Sequence, residues 1–198
     1  MESTSISLLE RLRVAPDESG WSRLVDLYTP LIRRWLGRSP LQASDVDDLV
    51  QDVLSVVVRR FPEFRHAQRP GAFRAWLRAI AVNRLRDYFK AGTHRPLAIG
   101  DSNFVETLDR LEDPQSDLTR DWDQEHDRHV LHRLMELLQP EFKRATWEAF
   151  RRHVLEGAGA EAVASELGVS VNAVLIAKSR VLQRLREEMK GLVDEVEW

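Results

Sequence analysis

Apolar residues return at intervals of three and four along most of this chain. Between residues 44 and 61 they fall at Val46, Leu49, Val50, Val53, Val57 and Phe61, the repeat of a helix that buries one stripe. The same period runs through Phe73, Trp76, Leu77, Ile80, Ala81, Leu85 and Tyr88, which predicts a second helix. An earlier helix is predicted by Trp21, Leu24, Val25, Leu27, Tyr28, Leu31, Ile32 and Trp35, with Pro30 expected to kink or divide it. Ahead of it Ile6, Leu8, Leu9 and Leu12 seed a short helix. Gly37 to Ser44, with Pro40, reads as a loop, and Pro62, Pro70 and Gly71 forbid a continuous helix through the segment that follows Phe61.

Beyond Ala91 the periodicity weakens. Gly92, Pro96, Gly100 and Pro114 stand among dense acids up to Asp127, a linker composition, with a transient helix around Leu108 and Leu111. Regular patterning resumes near His129: a helix from Val130 to Leu138, a break at Gln139-Pro140, a helix from Glu141 to Leu155, a turn from Glu156 to Gly159, and two further helices. Nothing in the pattern asks for a strand. The expected fold is all-α, with two small helical domains over 1–95 and 129–198 joined by an acidic flexible linker over 96–128.

Charge changes this picture by its distribution. The net charge is −3, yet from Trp21 to Arg95 there are 14 basic residues against 7 acidic ones. From Pro96 to Arg128 there are 10 acids against three arginines. A basic domain is thus hidden inside an acidic total, and basic domains suit nucleic acid. No run approaches the roughly 18 apolar residues of a membrane span, and the N-terminus lacks the pattern of a signal peptide, so a cytoplasmic protein with no membrane partner is expected. The absence of cysteine excludes disulfides and thiolate metal sites.

Three segments carry candidate chemistry. In the first predicted helix Ser44 is placed to cap, and Asp45, Asp48 and Asp52 share an outer face. The helix dipole accounts for carboxylates in the first turn. Asp52 lies two turns in, which points to a docking surface for a basic partner. The next helix sets Ala75, Ala79, Val82, Asn83, Arg86 and Lys90 on its outer side, with Arg74 and Arg78 on a flank and Asp87 its single acid; small residues among cations suit nucleic-acid contact. Near the C-terminus Ala164, Gly168 and Val174 stand at the offsets of a helix-turn-helix, with Ser170 as cap of its second helix. Val171, Val174, Leu175, Leu182 and Leu185 are expected to face inward. Asn172, Ala173, Ile176, Ser179, Arg180 and Gln183 then face outward, where Asn and Arg suit base edges and Ala and Ile a thymine methyl. Lys178, Arg184 and Arg186 are candidate phosphate contacts. His126, His129 and His132 share a helix face, but no second element offers carboxylates at ligand spacing, so they read as solvated side chains at a linker–helix junction. No nucleophile, glycine-rich phosphate loop or paired-carboxylate site is visible; neither catalysis nor a cofactor is expected.

Taken together, these segments resemble the group IV, or extracytoplasmic-function, sigma factors of bacterial RNA polymerase, within the sigma-70 family, from roughly Trp21 to Glu188. DVDDLVQDV is similar to the region 2 segment that docks on the β′ clamp helices, and FRAWLRAIAVNRLRDYFK to the segment that melts and binds the −10 element. LQPEFKRATWEAF and the helix-turn-helix resemble region 4, which binds the −35 element and the β flap. The resemblance implies a sigma factor that binds core polymerase and promoter DNA, under control of an anti-sigma factor or another regulator. It implies that Asp45, Asp47, Asp48, Gln51 and Asp52 meet the polymerase. It implies that the 62–74 loop holds a flipped-out base, and that Arg65, Phe73, Arg74, Trp76, Arg78, Asn83, Arg86 and Lys90 serve the −10 strand. Ser170, Asn172, Ala173, Ile176, Lys178, Ser179, Arg180 and Arg184 would then serve the −35 element. One departure concerns the recognition helix: many members carry Lys-Ser-Arg where this chain has Leu175-Ile176-Ala177. A helix-turn-helix regulator acting without polymerase shares the C-terminal motif but leaves Asp45 to Asp52 unexplained.

Overall fold

A computed structural model describes residues 7–64, 71–91 and 102–193. Its helices are α1 (Leu8–Val14), α2 (Glu18–Leu36), α3 (Ala43–Arg60), α4 (Ala72–Lys90), α5 (Ser102–Glu112), α6 (Asp117–Leu138), α7 (Arg144–Phe150), α8 (Ala160–Leu167) and α9 (Val171–Met189). Short 3-10 turns follow α3 at Phe61–Glu63 and α6 at Gln139–Glu141, each with a proline in its first positions. Helix α7 widens into a π turn at Arg151–Leu155. Among the described residues no strand forms, and no single helix is long and apolar enough to cross a membrane. The chain divides into two compact units, one over Leu8–Val130 and one over Leu131–Lys190.

The first unit is built on α2, α3 and α4. Asp17 caps α2, its carboxylate accepting from the Gly20 amide at 2.8 Å. Pro30 does not divide α2, which stays continuous to Leu36. The proline lies on the exposed side, where water can solvate the carbonyl that loses its partner. Leu24, Leu27, Leu31 and Ile32 of α2 pack with α3, whose Val53 and Val57 are buried, and α3 packs in turn with α4. Helix α3 begins two residues earlier than expected: Gln42 occupies the cap position without a side-chain bond, and Ser44 lies inside the helix. Gly71, at φ +72°, launches α4. At that φ the turn disfavours any residue with a Cβ, which would also press on the Arg74 guanidinium at 2.9 Å.

The expected flexible linker is mostly helix. Residues 92–101 lie outside the described ones, but 102–112 form α5 and the acidic stretch from Asp117 onward forms the N-terminal half of α6. Both belong to the first unit as far as Val130. Ser116 Oγ accepts from the Thr119 amide at 3.1 Å, giving α6 its start, and Thr119 Oγ1 donates to the Leu111 carbonyl at 3.1 Å, joining α6 to the end of α5. Leu108, Leu111, Trp122, His126, His129 and Val130 are all buried. Trp122 meets Trp35 of α2 edge to face, with centroids 4.8 Å apart. The α6 part of this stripe, Trp122, His126, His129 and Val130, is half histidine and flanked by acids, carries little hydrophobic signal, and so reads as linker in the sequence.

In the second unit α7, α8 and α9 pack around Ala149, Val163, Ala164, Val174 and Ala177. The chain turns by 107° between α8 and α9, within the range of a helix-turn-helix. Gly168 closes α8 in the left-handed region at φ +65°, and Ser170 caps α9, accepting from the Ala173 amide at 3.1 Å. Ala164 and Val174 are buried as the motif requires.

Candidate nucleic-acid and docking interfaces

On α3 the acidic residues divide between two tasks. Asp48, Gln51 and Asp52 are exposed, one helical turn apart along a ridge. Asp47 is turned aside to Arg33 of α2 at 2.8 Å, tying the two helices. Asp45 is half-buried beside Tyr88 of α4; burial, a hydrogen bond to Asp45 and the negative charges of Asp45 and Asp48 all raise the Tyr88 hydroxyl above its ordinary value. The ridge left for a partner is narrower than the five residues named from the sequence.

Helix α4 departs further from expectation, because it is covered on two flanks. Val82, expected outside, is fully buried, and the outward ridge consists of Ala75, Ala79, Asn83, Asp87 and Lys90. Phe73 is fully buried, in ring contact with Tyr28, Phe61, Phe64 and Trp76, and is therefore a core residue. Trp76 stacks on Phe64 at 4.8 Å between centroids and stays half-buried. Arg65 lies outside the described residues. Between α3 and α4 a pocket of ≈ 240 Å³ is lined by Val56, Arg60, Ile80, Asn83, Arg84 and Asp87.

The three arginines on the far flank of α4 face the acidic helices. Arg78 is 7% exposed and donates to Asp123 at 2.6 Å. Arg74 reaches Asp127 at 2.7 Å and Asp123 at 3.3 Å. Arg86 donates to Asp109 at 2.6 Å and also pairs with Glu112. Arg34 and Arg38, near the end of α2, pair with Glu125 of α6. Arg78, expected on DNA, is thus a structural cation in this conformation, since removing a buried guanidinium from its carboxylate is costly.

The histidines are likewise not solvated at the first two positions. His126 is fully buried, its Nδ1 2.9 Å from Asp127 and its Nε2 3.2 Å from the Tyr28 hydroxyl. With Nδ1–H donating to the carboxylate, Nε2 accepts from the phenol. Burial lowers the His126 pKa against the opposing hydrogen bond and charge of Asp127. His129 Nε2 donates to the Leu27 carbonyl at 2.7 Å. Both ring nitrogens of His126 are spent on protein groups, which explains its place in the fold without a metal. His132 is exposed and near Glu136.

The outward face of α9 carries Asn172, Ala173, Ile176, Ser179, Arg180 and Gln183, all exposed, with Lys178 exposed beside them. Two residues expected inside are outside: Val171, and Leu175 at 47% exposure. Ala177 and Val181 take the inward stripe instead. Leu175 and Ile176 therefore present a large apolar surface where the resembling family often carries cations. Ser170 is consumed as the helix cap. Arg184 is half-buried and bonded to Glu141 at 2.9 Å and Glu188 at 2.6 Å, so it braces α9 against the turn before α7 instead of standing free for phosphate.

Comparison with known proteins bears on all of these surfaces. Residues 24–95 match the sigma-70 region 2 family. The chain is 30% identical over 192 residues to the ECF RNA polymerase sigma factor ShbA of Streptomyces griseus, covering 93% of this chain and 95% of that one. It is 26% identical over 195 residues to the ECF RNA polymerase sigma factor SigD of Mycobacterium tuberculosis, covering 91% and 82%. Over 84 residues, 42% of this chain and 44% of that one, it is 29% identical to the RNA polymerase sigma factor HrpL of Pseudomonas syringae.

Proposed function

The chain belongs to the extracytoplasmic-function RNA polymerase sigma factors, and from that premise we propose how its surfaces divide the work. A sigma factor is not an enzyme; it binds core RNA polymerase and promoter DNA and directs transcription initiation. A regulator that works without polymerase is not favoured, since the relatives are named as sigma factors over nearly their whole length.

The α3 ridge of Asp48, Gln51 and Asp52 docks on a basic surface of the polymerase, the β′ clamp helices. Asp47 and Asp45 hold that ridge in place through Arg33 and Tyr88. The −10 strand follows the exposed ridge of α4, with Asn83 and Lys90 at its centre and end and Arg86 on its flank. The Phe64–Trp76 stack offers an aromatic face to an unstacked base. In the second unit Asn172, Ala173, Ile176, Ser179 and Arg180 read the −35 element and Lys178 meets phosphate, while the unit also meets the β flap. Lengthening of apolar contact through Ile176 and Leu175 suits thymine methyls in the major groove. A regulator such as an anti-sigma protein would act by covering these same surfaces, because polymerase and DNA must reach them. The place of action is the cytoplasm, with the polymerase.

The observation that carries the docking assignment is the separation of the α3 carboxylates, with Asp47 bonded inward while Asp48 and Asp52 stay exposed. Asp48→Lys with Asp52→Lys should abolish co-purification with core polymerase and run-off transcription, and should leave the helical circular dichroism unchanged. Each reversal converts attraction to repulsion, worth about 2–5 kcal/mol where the contact is desolvated. Undiminished co-purification would refute the assignment.

A further inference from the structure

The acidic helix α5 lies where a nucleic-acid backbone would have to lie in order to reach Arg86. Asp109 and Glu112, one turn apart on α5, both bond the Arg86 guanidinium on the flank of α4. Two carboxylates three residues apart present paired anionic oxygens to one guanidinium, the chemistry that phosphates also offer. We propose that α5 is an internal, displaceable stand-in for the promoter strand, covering the Arg86 end of the DNA-binding flank until DNA replaces it. This rests on the assignment of Arg86 to the −10 strand.

The attachments of α5 and α6 differ in a way that decides which one moves. Helix α6 is fixed by buried groups: Trp122 against Trp35, His126 against Tyr28, and Asp123 against the buried Arg78. Its pairs with Arg74 are also mostly shielded, the Arg74 side chain being 12% exposed. By contrast the α5 carboxylates face water, with side-chain exposures of 66% for Asp109 and 42% for Glu112. Exposed ion pairs contribute little and weaken with salt. Among the described residues the apolar hold of α5 is Leu108 and Leu111; the Thr119 Oγ1–Leu111 carbonyl bond tethers only its C-terminal end to α6, and the 92–101 segment separates it from α4 in the chain. An incoming phosphate can therefore exchange with Asp109 and Glu112 without disturbing the seat of α6, and the cation passes from carboxylate to phosphate without ever losing an anionic partner. Arg86 is the gated cation, whereas Asn83 and Lys90 stay open on the outer ridge.

The test uses the full chain and a fluorescein-labelled oligo-dT strand titrated by anisotropy. Asp109→Asn with Glu112→Gln should tighten binding by about tenfold, the scale of one freed contact, and steepen the salt dependence by about 0.7 in log–log slope. Glu106→Gln with Asp121→Asn removes the same charge from exposed positions of α5 and α6 and should change affinity far less. Amide exchange over 102–112 should rise in the first variant and not in the second. Adding Arg86→Ala to the first variant should cancel its gain. If the two neutralised variants bind alike while Arg86→Ala weakens both, Arg86 touches the strand but α5 does not gate it, and the proposal fails. If Arg86→Ala changes nothing in any background, the assignment of Arg86 to DNA fails and the gate with it.

Discussion

Loss of Asp123 should damage the protein far more than loss of the arginine it neutralises. Arg78 has 7% of its surface exposed and its guanidinium lies 2.6 Å from Asp123. Asp123→Ala leaves a buried cation without that carboxylate, and breaking a buried pair in this way costs roughly 3–5 kcal/mol. Asp123 keeps 26% of its side chain in water, so solvent can reach the vacated position and the expected cost is about 2–3 kcal/mol. Arg78→Met removes the desolvated charge, keeps the packing of the aliphatic stem, and leaves Asp123 beside the Arg74 Nε at 3.3 Å. Its cost should be about 0–1 kcal/mol. For a chain of this size the first variant should lower Tm by roughly 4–12 °C and the second by less than about 4 °C. The double variant Asp123→Ala/Arg78→Met should be more stable than Asp123→Ala alone, a coupling that a double-mutant cycle reads directly. Thermal unfolding followed by circular dichroism decides it. Equal losses for the two single variants, or a larger loss for Arg78→Met, would refute the reading of Arg78 as a buried structural cation.

Because burial lowers the His126 pKa, the unfolded chain binds a proton that the folded one resists, so stability should be full above the ordinary value of 6.5 and decline as pH falls below it. Tyr28, Asp127, Arg74 and Asp123 face this imidazole, and urea titrations of wild type and His126→Gln between neutral and mildly acidic pH should show the acid limb shrinking in the variant; parallel curves would exclude His126 as its source. On α9, Arg180→Ala should cost about 1–3 kcal/mol on the preferred −35 sequence and relax choice at one base pair, while Lys178→Ala should weaken all sequences alike. Transcription from a promoter library with each variant distinguishes them, and uniform loss in both would remove base reading from Arg180.

The helix-turn-helix was legible because its determinants are local. A small residue at 164, a left-handed glycine at 168 and a cap at 170 act over a few residues, and each has one steric or hydrogen-bonding reason. The acidic segment was not legible, because composition records a carboxylate without recording its partner. Arg78 and Asp123 are 45 residues apart in sequence, and Arg74 and Asp127 are 53 apart. No periodicity links residues at such separations. The same long-range packing moved Phe73, Arg78 and Val82 from the expected DNA face into the interior. Leu175 shows the opposite error: its spacing suggested the core, but the inward stripe of α9 runs through Val174, Ala177 and Val181 and leaves Leu175 outside. The exposure of Asp48 and Asp52 was legible, since a helix with one apolar stripe determines its own exposed side; the half-burial of Asp45 beside Tyr88 and the diversion of Asp47 to Arg33 depended on α4 and α2 and were not visible.

The edge-to-face meeting of Trp35 and Trp122 gives the first unit an optical consequence. The rings sit 4.8 Å apart with planes at 85°, both indoles are buried, and the Trp122 Nε1–H meets no hydrogen-bond acceptor among the described residues. Two coupled chromophores held at a fixed angle, away from water, give near-ultraviolet dichroism and short-wavelength emission that depend on both rings being in place. One ring belongs to α2 and the other to α6. The seat of the acidic helix on the bundle therefore carries its own spectroscopic label, readable in the unmodified chain while polymerase or DNA is added.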